Sequence, residues 1–404
     1  MTRNDRVLVT GVGAMTPLGS DAPSTWSGLL DGKSGVRLLE EEWADGLPVH
    51  VAAGLTVDPA GLLPRAEARK LDRGEQVAVL SAREAWRDAG APEVEPERFA
   101  VVIGTGTGGM LSTLGQDDVF ERDGIRRVSP FTVPMLMPNG PAAWVSMDLG
   151  AKGGARTPVS ACSSGAEALA LGQDLIRAGR ADVVLAGGVE ACLHPFTLAA
   201  FAQMKALSTR SDDPEGVSRP FDVARSGFVM GEGAGMMVLE RAGFAEARAA
   251  RSYGTLAGSA VGSSAHHITA SDANGQDRAI QLALRDAQLS PADIGVVHAH
   301  ATSTESGDLA EAEAIRRAVG DHAAVTATKS MTGHMLGASG AVGALASLLA
   351  LREGALPATR NLDALDPRVD LDVVRGERRT GQWSAALSNS FGFGGHNVSL
   401  VFTK

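Results

Sequence analysis

Apolar blocks and amphipathic stretches alternate along nearly the whole chain. The segment Arg6-Val-Leu-Val-Thr-Gly-Val-Gly-Ala-Met-Thr-Pro-Leu-Gly19 reads as a buried strand closed by a glycine turn. Helical spacing begins at Pro64 and continues through Val77, Leu80, Ala85 and Trp86, and an apolar strand at Val101 runs into a second glycine cluster ending at Gly109. Strand character returns at Thr157 and ends at Cys162, where Ser-Ser-Gly caps a helical run with Ala166, Leu169 and Ile176 on its buried side. A strand from Ala181 to Glu190 follows, then one at Gly235–Glu240 and an alanine-rich helix from Ala242 to Ala250. Strand, helix, strand implies an α/β protein with a parallel sheet covered by helices.

The remainder has the same character. Strands are expected at Ser252–Ala260, Ile294–Ala301 and Ala323–Thr328, and near Ala385 and Val398; helices at Asp277–Ala287, Leu309–Val319 and from about Leu336. A division near residue 248 separates an N-terminal half, 1–248, from a C-terminal half, 249–404, although no repeat is visible by identity.

Composition narrows this picture. Hydrophobic residues make up 44% of the 404 positions but aromatics only 4%, with 49 glycines, so the interior is built from small, closely packed side chains. A net charge of −10 without a Lys/Arg block argues against a nucleic-acid surface. The two cysteines, Cys162 and Cys192, form no disulfide framework or zinc pattern, which fits a reducing cytoplasm. The N-terminus has no signal-peptide core, and the apolar stretch Met335–Leu351 is interrupted by Gly337, Ser339, Gly340, Gly343 and Ser347, so it reads as a packed helix and no membrane association is expected.

Four places carry candidate chemistry. Cys162 is expected at a helix N-terminus, where unpaired N–H groups and the helix dipole favour a thiolate. His298 and His300 lie two apart on an expected strand and hence on one face; a metal there needs a third ligand that Ala-Thr-Ser-Thr304 does not offer. His334 stands at the mouth of a glycine-rich helix, where the neutral imidazole is favoured. The turn Asn389-Ser-Phe-Gly-Phe-Gly-Gly-His-Asn397 permits backbone N–H groups to face an oxyanion. By contrast, Gly11-Val-Gly13 lacks the third glycine and the acidic residue of a dinucleotide fingerprint, and the cluster ending at Gly109 lacks the Gly-Lys-Ser/Thr of a phosphate loop. Arg65, Arg69, Lys70 and Arg73 fall on one helix face, either as a positive patch or as a solvated face paired with Glu67 and Asp72.

At these motifs the chain resembles the elongating β-ketoacyl-acyl carrier protein synthases of the thiolase superfamily, from its first strand to Phe402. The resemblance implies a thiolase-like five-layered αβαβα fold of two similar halves. It implies that Cys162 takes the acyl group from an acyl carrier protein and that His300 and His334 assist decarboxylation of malonyl carrier protein. Phe393 and Cys162 supply oxyanion N–H groups, Lys329 orients the site, and Glu311 supports Lys329 and His334. Thr302 and Thr304 hold the phosphopantetheine arm, Phe391 and Phe393 form a gate, and Phe201 and Thr107 contact the acyl chain, Thr107 across a dimer interface. No cofactor is bound; phosphopantetheine arrives on the carrier protein, whose acidic surface would meet Arg65, Arg69, Lys70 and Lys205. The implied assembly is a homodimer or a heterodimer with a chain-length-factor-like homologue.

The chain departs from the common pattern at His298 (usually Asn), Ala301 (often Gly), Ser226 (usually Asp) and Thr107 (often Ile). These departures tip the expectation towards polyketide over fatty-acid assembly, with Thr107 altering chain preference. A non-catalytic partner subunit typically lacks the cysteine, and a degradative thiolase needs a second cysteine near the C-terminus, where the terminal turn has none.

Overall fold

The computed structural model describes residues 6–404. Its main sheet is built from β1 (Val7–Met15), β2 (Phe99–Gly104), β3 (Ala155–Arg156), β4 (Val183–Glu190), β5 (Gly233–Arg241), β6 (Gly254–Ser263), β7 (Ile294–His298), β8 (Ala324–Thr326), β9 (Asp372–Val373), β10 (Ala385–Gly392) and β11 (His396–Thr403). The strand order is β9-β8-β7-β10-β11-β6-β1-β5-β4-β2-β3. The principal helices are α1 (Arg73–Asp88), α2 (Gly140–Leu149), α3 (Ser164–Arg177), α4 (Ala273–Ala287), α5 (Glu305–Ala318) and α6 (Ser339–Glu353).

The sheet contains the same arrangement twice. In β3-β2-β4-β5-β1 the first two pairings are parallel and the last two antiparallel. In β8-β7-β10-β11-β6 the sequence of pairings is the same. The sheet is therefore mixed rather than all parallel, because each half closes with an antiparallel return. Among the described residues, the half-sheets join where Val7, Leu8 and Val9 of β1 pair with Leu256, Thr255 and Gly254 of β6.

Alternation along the strands produces layers. Val184 and Ala186 of β4 enter the central core with Val398, Leu400 and Phe402 of β11, while Val183 and Leu185 face an outer core and Val401 faces another. Helices α3 and α6 pack between the half-sheets, α1 and α2 cover the first, and α4 with α5 cover the second. Five layers result. Small residues make the middle layer possible: a Cβ on Gly165 of α3 would lie 2.7 Å from the Gly337 carbonyl, and one on Gly188 2.4 Å from it.

Several elements differ from expectation. The helix read from Pro64 is two helices, Arg65–Ala68 and α1, because Asp72 and Glu75 form a capping box that starts a new helix. No strand leads to Cys162; β3 ends at Arg156 and the intervening chain is irregular. Strand β7 ends at His298, so His300 lies beyond it. No helix is long and apolar enough to cross a membrane among the described residues.

Candidate active site

Cys162 lies in a tight turn, Ala161–Ser163, directly before α3. Ala161 has φ 52°, an uncommon conformation for a residue with a Cβ, and it turns the chain sharply so that the next side chain projects from the helix mouth. The terminal turn closes over it: a Cβ on Gly392 would sit 2.5 Å from the Ser160 carbonyl and 3.3 Å from the Cys162 nitrogen. The backbone N–H groups of Cys162 and Phe393 face the sulfur. Burial nevertheless pushes the thiol up to about 12, against the opposing pull of Lys329. Burial thus acts against the thiolate that the helix terminus and Lys329 favour.

The histidines come from the other half. The His300 and His334 rings are 5.4 Å apart and nearly perpendicular, at 88°. Glu311 of α5, almost fully buried, accepts from the His300 N–H at 2.7 Å and the Ala301 N–H at 2.6 Å. Asn389 Nδ2 donates to the same carboxylate at 3.3 Å. The Lys329 ammonium donates to the His300 carbonyl oxygen, so Glu311 and Lys329 together grip the backbone on both sides of His300. Glu311 does not touch His334 among these contacts, which departs from the expected support. His334 is held instead by Ser339 at the start of α6, with Nδ1 3.0 Å from Oγ. Met335 N–H donates to the same oxygen at 2.8 Å, and the hydroxyl hydrogen can be given to Nδ1, the arrangement that places the imidazole N–H on Nε2.

Electrostatics keep this group neutral. Burial, then Lys329, hold His300 and His334 well below the usual imidazole range. Burial brings Lys329 down to about 8, opposed by Glu311. Both rings therefore stand as N–H donors rather than imidazolium ions at neutral pH.

Cys162, His300, His334, Phe391 and Phe393 meet in one cavity of about 630 Å³. Thr302 and Thr304 line it with their hydroxyl oxygens 3.1 Å apart. Phe201 lines it too, edge-on to Phe228 at 5.5 Å, and Phe228 is edge-on to His334 at 5.3 Å. Lys205 is exposed on its rim with φ 55°. Arg65, Arg69 and Lys70 are exposed but do not line the cavity, and Lys70 lies over the Phe131 ring at 5.8 Å. Arg73 leaves the expected patch to pair with buried Glu232 at 2.7 Å. Neither acidic neighbour pairs as expected, since Glu67 binds Arg83 and Asp72 accepts from Ser112.

Thr107 is not among the residues that line this cavity within one chain; its hydroxyl donates to Glu190 at 2.7 Å, and the contact expected of it lies across a dimer interface. Glu190 was not singled out by sequence reasoning, yet it is almost fully buried and also accepts from Gly106 and Gly337 N–H groups. Phe228, Ser339 and Asn389 were likewise missed as supports; Phe228 follows the unusual Arg225-Ser-Gly, which offered the only pointer.

Two matched segments cover most of the chain: residues 4–245 match the N-terminal domain of β-ketoacyl synthases and residues 253–363 the C-terminal domain. The chain belongs to the β-ketoacyl synthase family and has its thiolase-like fold. It is 44% identical to the 3-oxoacyl-[acyl-carrier-protein] synthase 2 of Mycobacterium tuberculosis strain H37Rv, over 98% of this chain and 97% of that one. A solved β-ketoacyl synthase from Burkholderia phymatum STM815 superposes with a TM-score of 0.92 at 35% identity, covering 99% of both chains. A type II polyketide ketosynthase, solved with its acyl carrier protein and bound to the hexaketide, matches with a TM-score of 0.90 at 30% identity over 98% of both chains.

Proposed function

We propose that this β-ketoacyl-acyl carrier protein synthase joins an acyl group on Cys162 to malonyl-acyl carrier protein with loss of CO2. The observation that carries this reading is the convergence of a cysteine from one half and two neutral histidines from the other on a single cavity. In the first step the sulfur attacks the acyl thioester, and the departing phosphopantetheine thiolate takes the proton that the high-pKa Cys162 thiol gives up. Lys329 and the N–H groups of Cys162 and Phe393 stabilise the negative charge that develops. In the second step malonyl-carrier protein loses CO2, and Nε2–H of His334 and the imidazole of His300 bind the enolate oxygen. The carbanion then attacks the acyl-cysteine carbonyl; the carbon–carbon bond forms, the C–S bond breaks, the expelled Cys162 sulfur takes a proton from water, and the β-ketoacyl product leaves on its carrier.

Thr302 and Thr304 hold the phosphopantetheine arm, and Phe391 with Phe393 gates the cavity. Arg65, Arg69, Lys70 and Lys205 receive the acidic carrier protein. A homodimer is supported by the short, exposed edge strand β3 with exposed Val159, Met147 and Val133 nearby in the chain, surfaces that are costly to leave open. Light scattering of the purified chain, alone and with a homologous partner, distinguishes it from a heterodimer. The 44% identity to a 3-oxoacyl synthase 2 favours fatty-acid elongation, whereas the departures at Thr107, Ser226, His298 and Ala301 favour polyketide assembly.

Intact-protein mass after incubation with acyl carrier proteins of different chain length and unsaturation tests the proposal. An acyl adduct on the wild type and none on Cys162→Ala is expected, and the preferred chain sorts the two pathways. Failure to load any chain, with or without a partner homologue, would overturn the condensing role in favour of a partner subunit.

A further inference from the structure

His298 occupies an unusual place beside the site. It ends β7, two residues before His300, and is buried to 2% exposure. Its Nε2 lies 2.8 Å from the hydroxyl of Thr328, the residue preceding Lys329. The other edge of the ring rests on Gly343 of α6, where an added Cβ would lie 2.7 Å from the imidazole Cε1. Gly343 is one helical turn beyond Ser339, which binds His334. One imidazole thus touches each of the three segments that carry His300, Lys329 and His334.

We infer that His298 is a positioning residue that sets the mutual placement of His300, Lys329 and His334 for the decarboxylation step, an inference that rests on the condensing reading above. The close fit against Gly343 and the hydrogen bond to Thr328 tie two segments to one ring, whose own chain carries His300 two residues on, so a shift of either segment is felt there. Acyl transfer uses the N–H groups of Cys162 and Phe393 together with Lys329, whereas decarboxylation needs both histidines as well; of these, Phe393 follows β10, whose Ser388 pairs with His298 through the backbone rather than through its ring. Loss of the imidazole therefore falls more heavily on decarboxylation, which needs His300 and His334 in register, than on acyl transfer, which shares only Lys329 with them. A ring serving only to fill space would affect both halves through stability alone.

The test uses the full chain as wild type, His298→Ala, His298→Gln and Thr328→Val. Acylation of Cys162 is followed by intact mass, and decarboxylation by release of labelled CO2 from malonyl-carrier protein. His298→Ala is expected to lower CO2 release about 10- to 100-fold while acylation changes by less than about 3-fold. His298→Gln, whose amide reaches about as far from the backbone as Nε2, retains most of the release. Thr328→Val, which keeps the imidazole and removes its partner, follows the alanine variant and carries the test if that variant does not fold. CO2 release unchanged in both His298→Ala and Thr328→Val, or a parallel fall in both steps that tracks a lowered melting temperature, overturns the inference. A wild type that acylates but releases no CO2 overturns the condensing reading, and the inference with it.

Discussion

The two halves turn the chain into their central helices in the same way and put the turn to different uses. In the first, Ala161 at φ 52° opens the turn Ala161–Ser163 before α3; in the second, Leu336 at φ 39° opens Leu336–Ala338 before α6. The second residue of the first turn is Cys162, and that of the other is Gly337. These turns pack against each other. Gly337 donates its N–H to Glu190 at 3.1 Å, and a Cβ there would sit 2.6 Å from the Gly106 nitrogen. One copy presents a nucleophile; its counterpart is a packing surface, and the histidine of that half stands upstream of the turn at position 334. The difference teaches that the chemistry belongs to the contact between the copies rather than to either one.

The sharpest way to break that contact is to remove the second half's donors. His334→Ala should lower malonyl-carrier decarboxylation about 100- to 1000-fold, the usual cost of a lost oxyanion donor, while acylation of Cys162 persists. Equal loss of both steps would mean that the halves do not divide the work. Filling the seam comes next. Gly337→Ala has no room and should cost about 1–3 kcal/mol in a urea titration, whereas an unchanged midpoint would show the turns to be loosely fitted.

Much of this was legible in the sequence, and the failures have physical causes. Cys162, His300 and His334 stand in motifs that announce themselves, and apolar runs located nearly every strand. The break before α1 was also written there, since Asp72 and Glu75 have capping-box spacing. The thiol's state was not legible, because a helix N-terminus can be recognised locally whereas burial depends on residues hundreds of positions away. The repeat was hidden for a similar reason: it survives in strand order and in two left-handed backbone positions, not in side chains.

A smaller effect sharpens the electrostatic side of the comparison. His298 is held down to about 3 by burial, then Lys329, and His300 and His334 lie well below the usual range. The unfolded chain takes up protons near pH 6.5 that the folded chain refuses, so this stability is present above that pH and lost as pH falls below it. Buried Glu75, Glu84 and Asp308, raised to about 8, 7 and 7, act in the opposite direction over pH 7.5 to 5.5, so the histidine contribution is read as a difference: the urea stability of wild type should fall more steeply with acid than that of His298→Gln, by up to about 1.4 kcal/mol per pH unit. Identical slopes in the two proteins would mean that the ring is hydrated. Smallest of all, replacing Arg65, Arg69 or Lys70 by Ala should weaken carrier-protein use by about 0.5–1 kcal/mol each at low salt, fading as salt is added; no change in KM at low salt would place the docking surface elsewhere.

The narrow join between β1 and β6 also has a consequence for synthesis in the cell. The nucleophile's half-sheet has all its strands once Arg241 has emerged, but β6 and the layer containing α6 do not yet exist. At ordinary elongation rates the remainder takes on the order of 10–30 s to appear. Throughout that interval the apolar inner face of α3 has no α6 to cover it, and a chain halted there displays a sticky surface beside a cysteine without histidines. A pause in the second half therefore lengthens the time for which an aggregation-prone face stands open.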